Sequence, residues 1–408
     1  TSFFSTSPSA TAWLAVSNNT TSAKPGKMDK RCKIRKFVIR SRTAVDRLQA
    51  LQDWAARQLG GDTMDIAPAS ADASFRRYFR VTAKGRDYIV MDAPPAHEDC
   101  RPFIAVARLF ADAGVHVPQV LAQDLEQGFL LLTDLGSTTY LSALTESTAH
   151  ALYLASNDAL IRIQQTSRPG RLPAYDRALL GRELMLFPEW YLAKHLGVAL
   201  NGEQQAVLDT VFERLLANNL AQPQVYVHRD WHSRNLMVSD PNPGILDFQD
   251  AVYGPITYDL ASIYRDAYVQ WDEERQLDWV IRYWEQARAA RLPVREDFGE
   301  FWRDFEWMGA QRHIKVLGIF ARLYHRDGKD GYLKDMPLVM HYLRKVCERY
   351  DEMKPLLFLL DALQDKQPQV GMATDAALLA RVQTGRAVWR WYTWERPTIS
   401  FGRNERTW

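Results

Sequence analysis

Cysteine is scarce in this 408-residue chain: Cys32, Cys100 and Cys347 stand far apart and odd in number. That excludes a disulfide framework or a cysteine-rich metal knuckle and suits a reducing cytoplasm, the compartment expected here. Long apolar runs are missing too. None approaches the roughly 18 residues of a membrane-spanning helix, so no membrane partner is expected. Net charge is only +2, and it is unevenly spread. Residues 1–42 hold nine Lys and Arg against one acid, a balance of +8, which leaves −6 on residues 43–408. A mildly acidic body does not favour nucleic acid, and no such partner is expected. No internal repeat recurs. What remains is the composition of a globular protein, 47% apolar and 25% charged, long enough to fill two lobes.

Residues 1–23 are rich in Ser, Thr, Ala and Asn and carry no charge, and residues 24–42 are basic. No charged segment precedes an apolar one as in a secretory signal, so residues 1–42 are expected to be a disordered or non-native extension. From Thr43 the pattern becomes ordered. Val45, Leu48, Leu51 and Trp54 recur at helical spacing until Gly60-Gly61. Phe75–Val81 and Asp87–Asp92 read as a hairpin turned by Ala83-Lys84-Gly85-Arg86. A helix led by Pro102 follows, and then a second hairpin, Val117–Leu125 with Gly128–Leu135. Helical periods take over at 147–166, 176–196, 203–219, 256–270, 273–290, 296–324 and 335–350. The expected fold class is α+β, with a small β-rich lobe over residues 43–136 and a larger, mostly helical lobe over 137–360.

One stretch carries the chemistry. Val225-Tyr226-Val227 leads as a short strand into His228-Arg229-Asp230-Trp231-His232-Ser233-Arg234-Asn235, and Gly244-Ile245-Leu246 then delivers Asp247. An Asp, an Asn five residues on and a second Asp at a strand end are what phosphoryl transfer needs. One carboxylate aligns the attacking hydroxyl, while an amide and a second carboxylate hold Mg²⁺ against a triphosphate. HxD alone is a weak signal, but HxDxxxxN followed by that strand-end Asp is strong. His228 and His232 stand four apart, yet in a loop, where zinc is the poorer explanation.

With these motifs the chain resembles the aminoglycoside phosphotransferase/choline kinase group, small-molecule kinases with a protein-kinase-like fold. Ala73–Arg80, Met91–Pro95, Gly128–Gly136, Leu246–Pro255 and Gln311–Gly318 narrow the resemblance to bacterial N-acetylmuramate/N-acetylglucosamine anomeric kinases. It covers residues 44 to 360. It implies a monomeric two-lobed enzyme that uses ATP and Mg²⁺ to phosphorylate an amino sugar in cell-wall recycling, with Asp230 catalytic and Asn235 and Asp247 on the metal. Another hydroxyl acceptor (an aminoglycoside, choline or homoserine) and a nucleotide-binding pseudokinase stay open as alternatives. The last segment, Arg386–Gly402, resembles the opening strands of a lipoate–protein ligase, so residues 366–408 are expected to be a truncated appendage.

The chain departs from the kinase pattern at one point. The strand that usually carries a phosphate-pairing Lys ends here at Met91, and no GxGxxG loop accompanies it. Ser74, Arg76, Arg77 and Arg80 are the candidates to face the phosphates. Thr133 and Asp134 would form an adenine-binding hinge. For the sugar, Glu183, Asp250, Arg312, His313 and Lys315 are the candidates; four of them are polar residues inside otherwise apolar helices. Arg312, His313 and Lys315 could meet a carboxylate and Glu183 a hydroxyl, with ordinary surface charge the competing reading. Asp259 is expected to brace the catalytic loop by accepting backbone N–H bonds.

Overall fold

A computed structural model of the chain describes residues 47–61, 66–70 and 75–364. The expectations for residues 1–42, Ser74 and residues 366–408 lie outside them. Helix α1 (residues 47–59) belongs to a first compact unit ending at Met64. The second unit begins at Asp65 and carries everything below.

Its first layer is an antiparallel sheet of β1 (Ile66–Ser70), β2 (Arg77–Ala83), β3 (Arg86–Asp92), β4 (Val120–Asp124) and β5 (Phe129–Thr133), in the order β1-β2-β3-β5-β4. The expected β2–β3 hairpin is present. Ala83 pairs with Arg86, and Lys84 and Gly85 both take positive φ, 52° and 73°. Two such residues make the mirror-image turn whose twist matches paired strands. β5 sits between two partners, and its Phe-Leu-Leu-Leu run is buried on both faces. Helix α2 (Cys100–Asp112) starts where Asp99 accepts the Arg101 N–H at 2.9 Å. It buries Phe103, Val106, Ala107 and Phe110, one face at helical spacing. β1 was not anticipated: Ile66-Ala67-Pro68-Ala69-Ser70 has no alternation, and Pro68 is tolerated because the strand is at an edge.

The second lobe is helical: α3 (Tyr140–Ala143), α4 (Ala149–Gln165), α5 (Arg177–Leu186), α6 (Gly202–Leu220), α7 (Tyr258–Tyr264), α8 (Glu273–Ala289), α9 (Phe298–Asp327), α10 (Met336–Arg349) and α11 (Lys354–Gln364). The helix expected over 176–196 changes character at Phe187 and continues to His195 as a π-helix. Pro188 has no N–H to return to Leu184, and the hydrogen bonds beyond it widen, as when the Leu196 N–H reaches Tyr191 O at 2.9 Å. Among the described residues, no helix is long and apolar enough to cross a membrane.

α9 is the axis of this lobe, buried almost without a break from Phe301 to Ala321. It lies so close to the α5 end that a Cβ on Gly318 would stand 2.4 Å from the Leu186 carbonyl carbon. A backbone atom cannot swing aside as a side chain can. Gly318→Ala is therefore expected to cost about 1–3 kcal/mol or more. Thermal melts should show a drop of several degrees; an unchanged melting temperature would contradict this packing.

Candidate active site

Two short ladders bring the catalytic stretch together. β6 (Gln224–Val227) pairs with β9 (Val252–Pro255), and β7 (Leu236–Met237) pairs with β8 (Gly244–Ile245). The loop 228–235 leaves β6 and enters β7, while Asp247 stands two residues beyond the end of β8. Two bonds then lock loop and turn together. The Leu246 N–H donates to Asn235 O at 2.9 Å, and His228 Nε2 lies 3.0 Å from Leu246 O. Since His228 Nδ1 accepts the Asp230 N–H at 3.2 Å, the proton sits on Nε2, which donates. Burial pulls this imidazole down to about 4, so it stays neutral and keeps both bonds at pH 7.

Carboxylates hold the loop from below. Asp259 accepts the backbone N–H groups of His228 at 2.7 Å and Arg229 at 3.0 Å, the bracing role expected of it. Burial pushes its own carboxyl up to about 7, against the opposing pull of those two bonds. Asp266 does the same further along, accepting the Ser233 N–H at 2.9 Å and the Ser233 hydroxyl at 2.5 Å. Trp231 is wholly buried and donates from Nε1 to Ser156 Oγ at 2.9 Å, and Phe248 packs on Phe103 of α2 at 4.8 Å between centroids.

What is held so firmly is strained. Arg229 and Asp247 adopt φ of 76° and 61°, in the left-handed region that costs a non-glycine residue about 1 kcal/mol or more. Such outliers cluster at functional sites, where the surroundings over-determine them. Asp230 is half-buried. Among the described residues, its carboxylate oxygens accept no hydrogen bond, although its backbone N–H and carbonyl are both engaged. Burial pushes its carboxyl up, but Lys315, then His232 and Arg312, outweigh that and hold it below the ordinary Asp value. The result is an ionised carboxylate with free lone pairs.

Asn235 points its Nδ2 at Asp230 O, 3.0 Å away, and at Asp247 Oδ2, 3.4 Å away. That leaves its oxygen as the atom for a cation. Asp247 Oδ1 accepts from Gln249 Nε2 at 2.7 Å, and Gln249 Oε1 is buried with no partner among the described residues. The donor set is all oxygen. Too few acids converge for a cage: among the described residues no group of three or more His, Cys, Asp and Glu is placed to hold a metal. One carboxylate and one amide oxygen fit Mg²⁺, which usually completes its shell with water and substrate phosphates.

The other expected residues divide. Glu183 and Lys315 are not surface charges but form a buried cluster. Glu183 accepts from the Tyr175 hydroxyl and the Arg229 guanidinium, and Lys315 Nζ lies 3.0 Å from it. Burial raises the Glu183 carboxyl, but Lys315 and Arg229 outweigh it and keep the group ionised. Lys315 also donates to the Tyr258 hydroxyl at 2.9 Å. Glu183 Oε1 thus meets Arg229 and Lys315 while Oε2 accepts from Tyr175, which fixes Arg229 next to Asp230; removing one partner of such a pair costs about 3–5 kcal/mol. His313 is not brought to the cleft. Its ring stacks on Tyr342 at 5.3 Å, and Nε2 lies 3.2 Å from Arg265 O, because it falls on the α10 side of α9. Arg312 is bonded through Nε to Ser262 Oγ of α7 at 2.8 Å, and its charge acts on Asp230 and His232 of the loop. Asp250 is exposed, and its carbonyl accepts from Arg229 at 3.4 Å.

In the sheet lobe, Arg77 is tied to buried Asp92, and Arg80 to Asp134 and to Gly136 O at 3.0 Å. Arg76 lies 3.8 Å from Glu98, just ahead of α2. Thr133 Oγ1 accepts the Gln119 N–H at 2.9 Å. Met91, where a Lys was missed, is 1% exposed and belongs to the apolar core.

This arrangement has relatives. A model of the phosphotransferase enzyme family (APH) matches residues 65–296, more than half of the chain. The chain belongs to that family. It is 54% identical over 299 residues to the N-acetylmuramate/N-acetylglucosamine kinase of Pseudomonas aeruginosa, covering 73% of this chain and 88% of that protein. To the kinase of the same name from Neisseria meningitidis it is 50% identical over 327 residues, covering 79% and 97%. Among solved structures, choline kinase LicA from Streptococcus pneumoniae matches with a TM-score of 0.53 at 13% identity, covering 73% of this chain and 98% of that one. That likeness bears on the fold alone, which is the two-lobed kinase-like one.

Sequence reasoning about this phosphotransferase missed Arg229, Tyr175 and Asp266. Arg229 was visible as part of His-Arg-Asp, but its partner lies 46 residues upstream, at Glu183. Asp266 could have been found as an acid just beyond the apolar α7.

Proposed function

We propose that the chain is an ATP-dependent sugar kinase acting on the anomeric hydroxyl of N-acetylmuramate and N-acetylglucosamine, in the recycling of cell-wall sugars. The observation that carries the catalytic part is Asp230: an ionised, half-buried carboxylate with no hydrogen bond from the described residues, on a loop braced by Asp259, Asp266 and His228. The names of relatives about half identical over most of their length support the acceptor.

In this reading Asp230 accepts a hydrogen bond from the sugar hydroxyl and points its oxygen along the line to the γ-phosphorus of ATP. As the new P–O bond forms, the bond to the β–γ bridging oxygen breaks and ADP leaves. The hydroxyl proton passes to Asp230 late, when the oxygen has become acidic. An anomeric hydroxyl suits so modest a base, because the ring oxygen withdraws charge from it. Asn235 and Asp247 would hold Mg²⁺, which when bound supplies positive charge to the phosphate oxygens. Lys315 and Arg312 hold positive charge near Asp230. The Thr133–Gly136 segment, pinned by Arg80, would serve as the hinge for adenine.

Coupled ATP-consumption assays with N-acetylmuramate, N-acetylglucosamine, choline, homoserine and an aminoglycoside test the acceptor. Turnover on the two amino sugars is expected. Rapid choline or aminoglycoside turnover without them would overturn the assignment.

A further inference from the structure

Four residues beyond Asp230, Arg234 lies over an aromatic surface. Its guanidinium carbon is 3.6 Å from the centroid of Tyr268 and 5.9 Å from that of Tyr332. Phe320 of α9 backs both rings, at 6.4 and 5.2 Å, and His232 meets Tyr268 edge-on at 5.5 Å. Arg234, Tyr268, Tyr332 and His232 are all only half-buried, so this surface opens to solvent. Arg312, 6% exposed, completes it through its charge on Asp230, His232 and Tyr268.

The charges here are unbalanced. Among the described residues neither Arg234 nor Arg312 makes a salt bridge, whereas Arg229, Arg265, Arg295 and Arg344 each meet a carboxylate. The acids nearby do not pair with them: Asp230 and Asp259 feel the charge of Arg312, but neither forms an ion pair with it among the described residues. Asp266 is engaged by Ser233 and by the Tyr268 N–H at 3.1 Å. Asp335 feels the charge of Arg234 without reaching it, and its Oδ2 is buried without a partner. Leaving two guanidinium groups unpaired in a half-closed site is costly unless an anion arrives there. Contact with the Tyr268 ring at 3.6 Å also restrains the Arg234 guanidinium, a group suited to bidentate binding of a carboxylate.

We propose that Arg234, clamped on Tyr268 and assisted by Arg312, binds the carboxylate of an acidic amino sugar and sets the preference for N-acetylmuramate over N-acetylglucosamine. The two sugars differ by one lactyl ether, hence by one carboxylate. This inference rests on the sugar-kinase reading above, and it assigns roles to residues that reading does not use.

The test compares kcat/KM and calorimetric affinity for both sugars in the full chain and in Arg234→Gln, Arg234→Lys and Tyr268→Leu. Arg234→Gln should lower kcat/KM for N-acetylmuramate by about 10- to 100-fold, mostly through KM, the range expected for a lost charge-assisted bond. The loss for N-acetylglucosamine should be at least tenfold smaller, and its turnover also reports that the variant folds. Arg234→Lys should recover part of the loss, and Tyr268→Leu should reproduce part of it. Equal losses on both sugars, as damage to neighbouring Asn235 would give, overturn the proposal, as does a rise in KM confined to ATP. A wild-type enzyme that handles N-acetylglucosamine but not N-acetylmuramate overturns it while leaving the kinase reading in place. Failure to bind or turn over either sugar removes both.

Discussion

Asp230→Asn is expected to lower kcat by about 10³-fold while ATP affinity stays within a few-fold of wild type. The substitution keeps shape and removes charge from a carboxylate that accepts no hydrogen bond from the described residues. Its neighbours in the loop are held through backbone and by other side chains, Asp259, Asp266 and Trp231 among them, so they should not move. Stability should change little. The carboxylate is held ionised by Lys315, His232 and Arg312 in spite of burial, so the variant forgoes some attraction and is relieved of a desolvation cost. A melting temperature near wild type beside a collapsed kcat is the expected pair of results. Near-normal turnover would remove Asp230 from the reaction.

Asp247→Ala is expected to fail through the metal instead. Without that carboxylate only the Asn235 amide faces the phosphates, and Gln249 loses the acceptor that positions it. A loss of roughly 10³-fold or more in kcat/KM is expected, since a bound divalent cation is worth several kcal/mol of charge stabilisation. Calorimetry should show weaker ATP binding in the presence of Mg²⁺, and raised Mg²⁺ or Mn²⁺ should restore part of both signals. No such rescue is expected for Asp230→Asn, which separates the two roles. The variant also places Ala at φ 61°, so a small drop in stability accompanies the loss. Mg²⁺-dependent ATP binding indistinguishable from wild type would contradict the metal role.

The parts of this enzyme legible in the sequence are those whose chemistry and geometry are both local. Asp230, Asn235 and Asp247 lie within 17 residues, and the strands that deliver them are short apolar runs beside turn residues. The bracing by Asp259 was legible because an acid at a helix start beside an HxD loop has few other uses. The Glu183–Arg229–Lys315 cluster was not. Periodicity shows that a charge sits on an apolar helix face; it does not show which distant cation will neutralise it, and these three come from α5, the loop and α9. The same limit hid the pairing of Arg77 with Asp92 and of Arg80 with Asp134, leaving both arginines as apparent phosphate ligands. His313 was misplaced by one step of helical rotation, about 100°, which separates it from Arg312 and turns it toward Tyr342.

The central claim concerns which hydroxyl receives the phosphoryl group. Proton and phosphorus NMR of the product from ATP and N-acetylmuramate reads this directly. The account predicts a phosphorus resonance coupled to the anomeric proton, with the C6 protons uncoupled. A 6-phosphate, or a product spectrum holding only ADP and inorganic phosphate, would contradict it.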